Sequence, residues 1–345
     1  MNDNDNDTNV NSEYDYDHHS TARQHLSGGT TTTRAIGSDT FLALSAFVLV
    51  MFAPVTSQYF VFLPWLRPLT AASMLVLGVF NVFVALLLTN YWACYTTDPG
   101  KVKIGWEGAA EPHATAAPIA EVYDRDPSSM PVHRLPPLAG SGPRQRVDDG
   151  TGTFCHICNQ RRPPRAHHCK RCKRCILRMD HHCQWLNNCI GFHNQPHFIR
   201  FLLYATLAAF YCVGLIMLRL LDVGRLAYLH AADPQLHGSP SPPPALEMLF
   251  MAVNLCLLVP VGSILILMLY QQVHNLTRNL TTIEYVEMKD DAIGIYVPVN
   301  RYDLGNAMAN ARAVMGPNLL LALVYSVPPQ RATGHDFPTD MEGHH

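Results

Sequence analysis

The stretch from Phe154 to Phe198 reads FCHICNQRRPPRAHHCKRCKRCILRMDHHCQWLNNCIGFHNQPHF and holds seven of the chain's ten cysteines. They fall at Cys155, Cys158, Cys169, Cys172, Cys175, Cys183 and Cys189, in C-x2-C steps interleaved with His168, His181 and His182. Structural zinc takes four ligands in a tetrahedron and favours thiolate sulfur and imidazole nitrogen, so closely spaced C-x2-C pairs are a strong zinc signal. Two Cys3His sites would consume six cysteines and two histidines and leave one thiol over. Spacing alone fixes neither the number of sites nor their pairing.

On both sides of this stretch the apolar residues are gathered into blocks. Phe41 to Leu66, Leu69 to Thr97, Phe201 to Leu218 and Met248 to Val273 contain no Asp, Glu, Lys or Arg. A helix needs about 20 mainly apolar residues to cross the hydrocarbon of a bilayer. The expected fold is an all-α polytopic membrane protein with four transmembrane helices and a cytosolic, zinc-binding, cysteine-rich domain between helices 2 and 3. The boundaries read as a polar N-terminal tail over 1–40, helices 1 and 2 over 41–97 and a Pro/Gly/Ala-rich linker over 98–152. The cysteine-rich domain follows over 153–198, then helices 3 and 4 over 199–273 and a C-terminal region over 274–345. Within the last, Ala307 to Tyr325 is too short and too interrupted to span, and is expected as a helix lying against the membrane or the zinc region. Asp233 to Pro244 suits a short lumenal loop. The first 40 residues lack the basic region and apolar core of a secretory signal. Asp17-His18-His19 in that tail has no cysteine after it and is expected to play no part in chemistry. No internal repeat is visible.

Net charge is only −2, which names no nucleic-acid or acidic partner. Of the 25 Lys and Arg residues, 14 lie between Lys101 and Arg178, and such an excess marks the cytoplasmic side of a membrane. Zinc-ligating thiols must also stay reduced, which fits a cytosolic face. The termini are then cytosolic too, and the sequons at Asn275 and Asn279 are expected to stay unmodified.

The Cys155, Cys158, Cys169, Cys172 and Cys175 thiols sit in chelating loops, whereas Cys183 directly follows Asp180-His181-His182. A neighbouring imidazole can take a thiol's proton, and a carboxylate can orient that imidazole, so Cys183 reads as a nucleophile with His181 and Asp180 behind it. The bland alternative is that these residues form another zinc corner.

The same stretch resembles, nearly residue for residue, the cysteine-rich domain of the DHHC protein S-acyltransferases (palmitoyltransferases). The resemblance rests on Pro163-Pro164-Arg165, His168-Cys169, Asp180-His181-His182-Cys183, Trp185, Asn187-Asn188-Cys189-Ile190-Gly191, Asn194 and Phe198. It extends to Asp98-Pro99-Gly100, to Thr281-Thr282-Ile283-Glu284 and to Asn310, and covers about Phe41 to Gly316. Val314-Met315-Gly316 departs from the aromatic that the family often carries before its glycine.

The resemblance implies two structural zinc ions, one held by Cys155, Cys158, His168 and Cys175 and the other by Cys169, Cys172, His182 and Cys189. It leaves Cys183 as the acyl carrier, His181 as base and Asp180 as its orienting carboxylate. Acyl-CoA, palmitoyl-CoA above all, would be the donor, cytosolic-face proteins with accessible cysteines the acceptors, and the lipid bilayer the surroundings. A Golgi, ER or plasma-membrane location follows at family level. The basic residues from Arg161 to Arg178 are expected to meet CoA phosphates or the anionic leaflet. Trp185 reads as a lining residue or interface anchor, and Thr281, Thr282, Glu284 and Asn310 as braces. Two rivals are a membrane-anchored zinc adaptor, which gives Cys183 no job, and a nucleic-acid-binding finger, which would need a basic recognition helix.

Overall fold

The structure, a computed structural model, describes residues 38–106, 153–232, 243–291, 300–324, 334–335 and 337. Most of the expected tail with its Asp17-His18-His19, most of the expected linker and loop, and Tyr325 lie outside the described residues.

Among the described residues, four helices are long and apolar enough to cross a membrane: Ser38–Trp65, Ala71–Thr96, Gln195–Ala232 and Ala245–Thr277. The first is composite: α1 (Ser38–Ser57) passes through a π-helical turn (Gln58–Phe62) into α2 (Leu63–Trp65). Thr70 caps α3 (Ala71–Thr96) by accepting the Ser73 backbone N–H at 3.2 Å. The third span, α4 (Gln195–Ala232), is the central helix and packs on both α3 and α5 (Ala245–Thr277), while α1 packs on α5. Outward-facing Phe41, Leu75, Leu221 and Leu267 are exposed, as a lipid-facing surface requires.

The third span runs past Leu218, where the run of uncharged residues stops. Arg219 does not end the helix because its charge is neutralised within the bundle. Its Nε lies 2.7 Å from Glu247 Oε1 and its Nη1 2.7 Å from Asp222 Oδ2, which also accepts Trp65 Nε1–H at 3.1 Å. A charge paired in this way can stay at membrane depth.

The cysteine-rich segment is not helical. It folds as three two-stranded antiparallel hairpins: β1 (Thr153–Cys155) with β2 (Gln160–Arg162), β3 (His167–Cys169) with β4 (Arg174–Ile176), and β5 (His181–Cys183) with β6 (Asn188–Ile190). The register repeats. Cys155, Cys169 and Cys183 stand opposite Gln160, Arg174 and Asn188, and each set advances by 14 residues. Asn159, Lys173 and Asn187, again 14 apart, all take positive φ (50°, 54° and 46°), the conformation that closes each turn. The segment therefore carries a short internal repeat that the sequence reading missed, because its ligand positions are filled differently in each copy.

Residues 98–106, expected as the start of a linker, belong to this module. Gly100 O accepts Leu177 N–H at 2.7 Å, and Val102 N–H bonds Cys175 O at 3.0 Å. Gly191 seats the segment: a Cβ there would lie 2.7 Å from Pro99 O, 2.7 Å from Ile176 Cγ2 and 2.9 Å from Leu177 O.

After α5, α6 (Thr282–Asp291) packs on the hairpins, and α7 (Ala307–Met315) and α8 (Leu319–Val324) follow. The single helix expected over 307–325 is broken because Gly316 takes φ 98° and Pro317 cannot donate a helical hydrogen bond. The α8 carbonyls are held to the third span: Ala322 O accepts Arg200 Nη1–H at 2.8 Å and Leu323 O accepts Tyr204 Oη–H at 2.9 Å.

Arg165 and Arg178 correct the reading of the basic run. Both are buried rather than turned to solvent. Arg165 donates from Nε and Nη2 to the two Glu284 oxygens at 2.7 Å each, and lies 4.2 Å from the Tyr302 ring centre. Both guanidinium groups also donate to Asn279 Oδ1, at 3.1 and 3.2 Å. Burial opposes the charged Glu284, but Arg165 outweighs it and holds the carboxyl below its usual range. Asn275 and Asn279 are themselves buried, which keeps both sequons out of reach in the folded protein. Removing one partner of a buried ion pair strands the other charge, so Glu284→Ala should cost about 3–5 kcal/mol. Thermal unfolding in detergent, compared with wild type, checks this.

Candidate active site and metal centres

The three hairpins stack so that the C-x2-C turn of one faces the strand pair of the next. Cys155 and Cys158 of the first meet His168 and Cys175 of the second; Cys169 and Cys172 of the second meet His182 and Cys189 of the third. In each group the four ligand atoms lie within 4.8 Å of one another. His168 Nδ1 is 3.6, 3.2 and 3.9 Å from the sulfurs of Cys155, Cys158 and Cys175, and Cys158 and Cys175 are 3.8 Å apart. His182 Nδ1 is 3.6, 3.5 and 3.5 Å from Cys169, Cys172 and Cys189, with Cys172 and Cys189 3.4 Å apart.

Those separations are the edges of a tetrahedron. With Zn–S near 2.3 Å and Zn–N near 2.05 Å, tetrahedral angles give edges of about 3.6 Å between sulfur and nitrogen and about 3.8 Å between sulfurs. Both sets fit a zinc ion with all four positions taken by protein. The outer nitrogen of the His182 ring, Nε2, lies 3.4 Å from Asp39 Oδ2 at the start of α1, within ion-pair distance but outside hydrogen-bond geometry. A carboxylate behind a ligating histidine is a common way to fix the ring's tautomer and orientation. Sequence reading had no route to Asp39, which lies more than a hundred residues away.

Cys183 belongs to neither group. It is 6% exposed and sits in an apolar cluster with Tyr91, Cys94, Leu186, Ile190, Phe198 and Leu202. The Cys183 thiol interacts with the His181 imidazole and favours its cation. The ring's Nδ1 donates to Asp180 Oδ2 at 2.7 Å. Phe198 packs against the imidazole with ring centres 5.1 Å apart. The structure thus brings Asp180, His181 and Cys183 together, with His181 hydrogen-bonded to Asp180, while the adjacent His182 turns to a metal group.

Asp180 is fully buried and saturated with donors. Thr282 N–H reaches Oδ1 at 2.8 Å, while Thr282 Oγ1–H and Gln272 Nε2–H reach Oδ2 at 3.0 Å each. Burial would raise its pKa, but His181, Thr282 and Gln272 together hold it below the usual carboxylate range. For His181, burial disfavours the cation, yet the bond to Asp180 and the nearby Cys183 outweigh it and raise its pKa to about 9. The arrangement favours the imidazolium form of His181. Thr282, expected as a brace, and Gln272, which sits in an apolar run of sequence, are the neighbours that hold Asp180.

Comparison with known proteins agrees with this geometry. A family model described as DHHC palmitoyltransferase matches residues 149–289. Probable protein S-acyltransferase 16 of Arabidopsis thaliana is 32% identical over 262 residues, covering 72% of this chain and 84% of that protein. The chain belongs to the DHHC palmitoyltransferase family. Palmitoyltransferase ZDHHC15A of Danio rerio is 27% identical over 300 residues, covering 86% of this chain and 84% of the relative. The match to probable protein S-acyltransferase 13 of Arabidopsis thaliana is 33% identical and spans 62% of each chain.

Two measurements check the site. Metal analysis should find about two zinc ions per chain in wild type, about one in His182→Ala and about two in Cys183→Ser. Thr282→Val keeps the backbone donor to Asp180 but removes the hydroxyl. It should slow self-acylation roughly tenfold, equivalent to about 1.4 kcal/mol, with zinc content unchanged.

Proposed function

We propose that this chain is a protein S-acyltransferase that takes a long-chain acyl group from acyl-CoA onto Cys183 and passes it to a cysteine of a substrate protein. The observation that carries the reading is the 2.7 Å hydrogen bond between Asp180 and His181 beside a thiol that lies outside both metal groups.

In the first step the Cys183 proton moves to His181 and the thiolate attacks the thioester carbonyl carbon of acyl-CoA. The carbon–sulfur bond to CoA then breaks, and the CoA sulfur takes the proton from His181. In the second step the acceptor cysteine gives its proton to His181 and attacks the Cys183 thioester, and Cys183 leaves as thiolate. One thioester is exchanged for another, so the protein's task is activation and alignment. Asp180 keeps the imidazole in the tautomer that faces Cys183 and stabilises its cation. Zinc, when bound, closes each tetrahedron and stiffens the hairpins.

The spans supply the place for the chain. A cavity of about 120 Å³ between the helices is walled by apolar side chains including Pro54, Phe80, Leu87, Phe201, Cys212 and Leu265. Phe201 and Leu265 also border the cluster around Cys183, so one apolar path joins cavity and nucleophile. Each buried CH₂ is worth about 0.8 kcal/mol, which makes such a path the natural seat for a palmitoyl-length chain. Arg161, Lys170, Arg171, Lys173 and Arg174 remain exposed and are the residues left to meet CoA phosphates or anionic lipid. Reduced zinc thiolates and the surplus of Lys and Arg favour a cytosolic face for the hairpins, in an endomembrane of which the Golgi is the family-level choice.

Incubation of detergent-purified protein with a labelled palmitoyl-CoA analogue tests the reading. Wild type should carry label that neutral hydroxylamine releases, and Cys183→Ser should carry none while keeping its zinc. Equal labelling of both would move the acyl carrier elsewhere.

A further inference from the structure

The 14-residue repeat places Cys183 where hairpins one and two place a metal ligand. Cys155, Cys169 and Cys183 open equivalent turns in the same strand register. Three residues on, hairpin one has Cys158 and hairpin two has Cys172, but hairpin three has Leu186. The backbone is kept, with Asn187 at the same positive φ as Asn159 and Lys173. What changes is the sulfur. In the first two turns the amide of the second cysteine donates to the first cysteine's Sγ, Cys158 to Cys155 at 3.5 Å and Cys172 to Cys169 at 3.3 Å. In the third turn Leu186 N–H donates to Cys183 O at 3.2 Å instead.

We propose that Leu186 is a positioning residue that turns a metal-ligand position into a nucleophile: standing where the other hairpins carry their second cysteine, it denies Cys183 a chelating partner. The proposal rests on the reading of Cys183 as the acyl carrier. Each metal group takes two ligands from one hairpin's turn and two from the following strand pair. A fourth hairpin would have to supply its ligands at 196 and 203, where the chain has Pro196 and Leu203 inside α4. Geometry at the far side therefore already withholds two ligands. Position 186 withholds the third, and it has to, because His181 is at hand. With a thiol at 186, that thiol, Cys183 and the His181 imidazole would make a Cys2His set, a donor group that holds zinc with one open position. Leucine also fills the space: its side chain is 1% exposed and packs with Tyr91, Cys94, Ile190, Phe198 and Leu202, fastening the reactive turn to α3 and α4.

The test compares full-length wild type, Leu186→Cys, Leu186→Cys with Cys183→Ser, and Leu186→Met as a packing control. Each is equilibrated with a small excess of zinc chloride, desalted, and assayed for zinc per chain and for self-acylation by labelled palmitoyl-CoA. Expected are about three zinc ions in Leu186→Cys and about two in the other three. Self-acylation should fall at least tenfold in Leu186→Cys and stay within about threefold of wild type in Leu186→Met. Two zinc ions with undiminished acylation in Leu186→Cys would overturn the proposal. So would a third ion that persists without Cys183, or acylation lost equally in Leu186→Cys and Leu186→Met with two ions in each. Leu186→His, which supplies an imidazole at the same position, repeats the comparison if the cysteine variant does not purify as a single species. Zinc counting does not depend on acyl transfer, so an unlabelled wild type would count against Cys183 as carrier without deciding the role of Leu186.

Discussion

A carboxylate removed wholly from water is tolerable only when donors compensate its charge, and Asp180 receives four hydrogen bonds from groups in three parts of the chain. His181 is its neighbour in the third hairpin, Gln272 comes from the last turns of the fourth span, and Thr282 opens the helix that follows. The arrangement fixes more than the histidine. It requires the hairpins, the membrane helix and the C-terminal helix to be in place together, because a missing donor leaves buried charge uncompensated. The setting of His181 beside Cys183 and the assembly of the fold thus rest on the same few hydrogen bonds.

Around this point the structure uses rigid spacers of two kinds. Metal groups join one hairpin to the next, and charge-assisted pairs join hairpins to helices, as Arg165 does with Glu284. The apolar cluster around Cys183 does the rest, pressing the reactive turn onto α3 and α4. A small module with three short hairpins has little core of its own, and zinc supplies the cohesion that area cannot.

Much of this was legible in the sequence for physical reasons. Charge-free runs near 20 residues announce spans, and C-x2-C steps with histidines announce zinc, because both constraints act locally along the chain. The residues expected at Cys155, Cys158, His168 and Cys175, and at Cys169, Cys172, His182 and Cys189, are the ones the fold draws into two tetrahedra. What escaped was non-local or disguised. Arg219 looked like the end of a span because its partner Glu247 lies on another helix. Arg165 and Arg178 looked like a solvent-facing basic run because nothing nearby in sequence hints at Asn279 and Glu284. The hairpin repeat stayed hidden because its equivalent positions hold Phe154, His168 and His182, or Cys158, Cys172 and Leu186, and so show little identity.

Asp39 ties the first membrane helix to the hairpins. It lies in the first turn of α1, and its carboxylate touches both His182 and Arg171 while Thr40 beside it meets Asn187. The beginning of the first membrane helix is therefore hinged to the same hairpin that carries the reactive sulfur. A tilt or axial slide of that helix, such as a thicker or thinner bilayer would impose, pulls first on the ring behind the second metal and only then on the rest of the module. Bilayer thickness and the posture of the third hairpin become two readings of one lever.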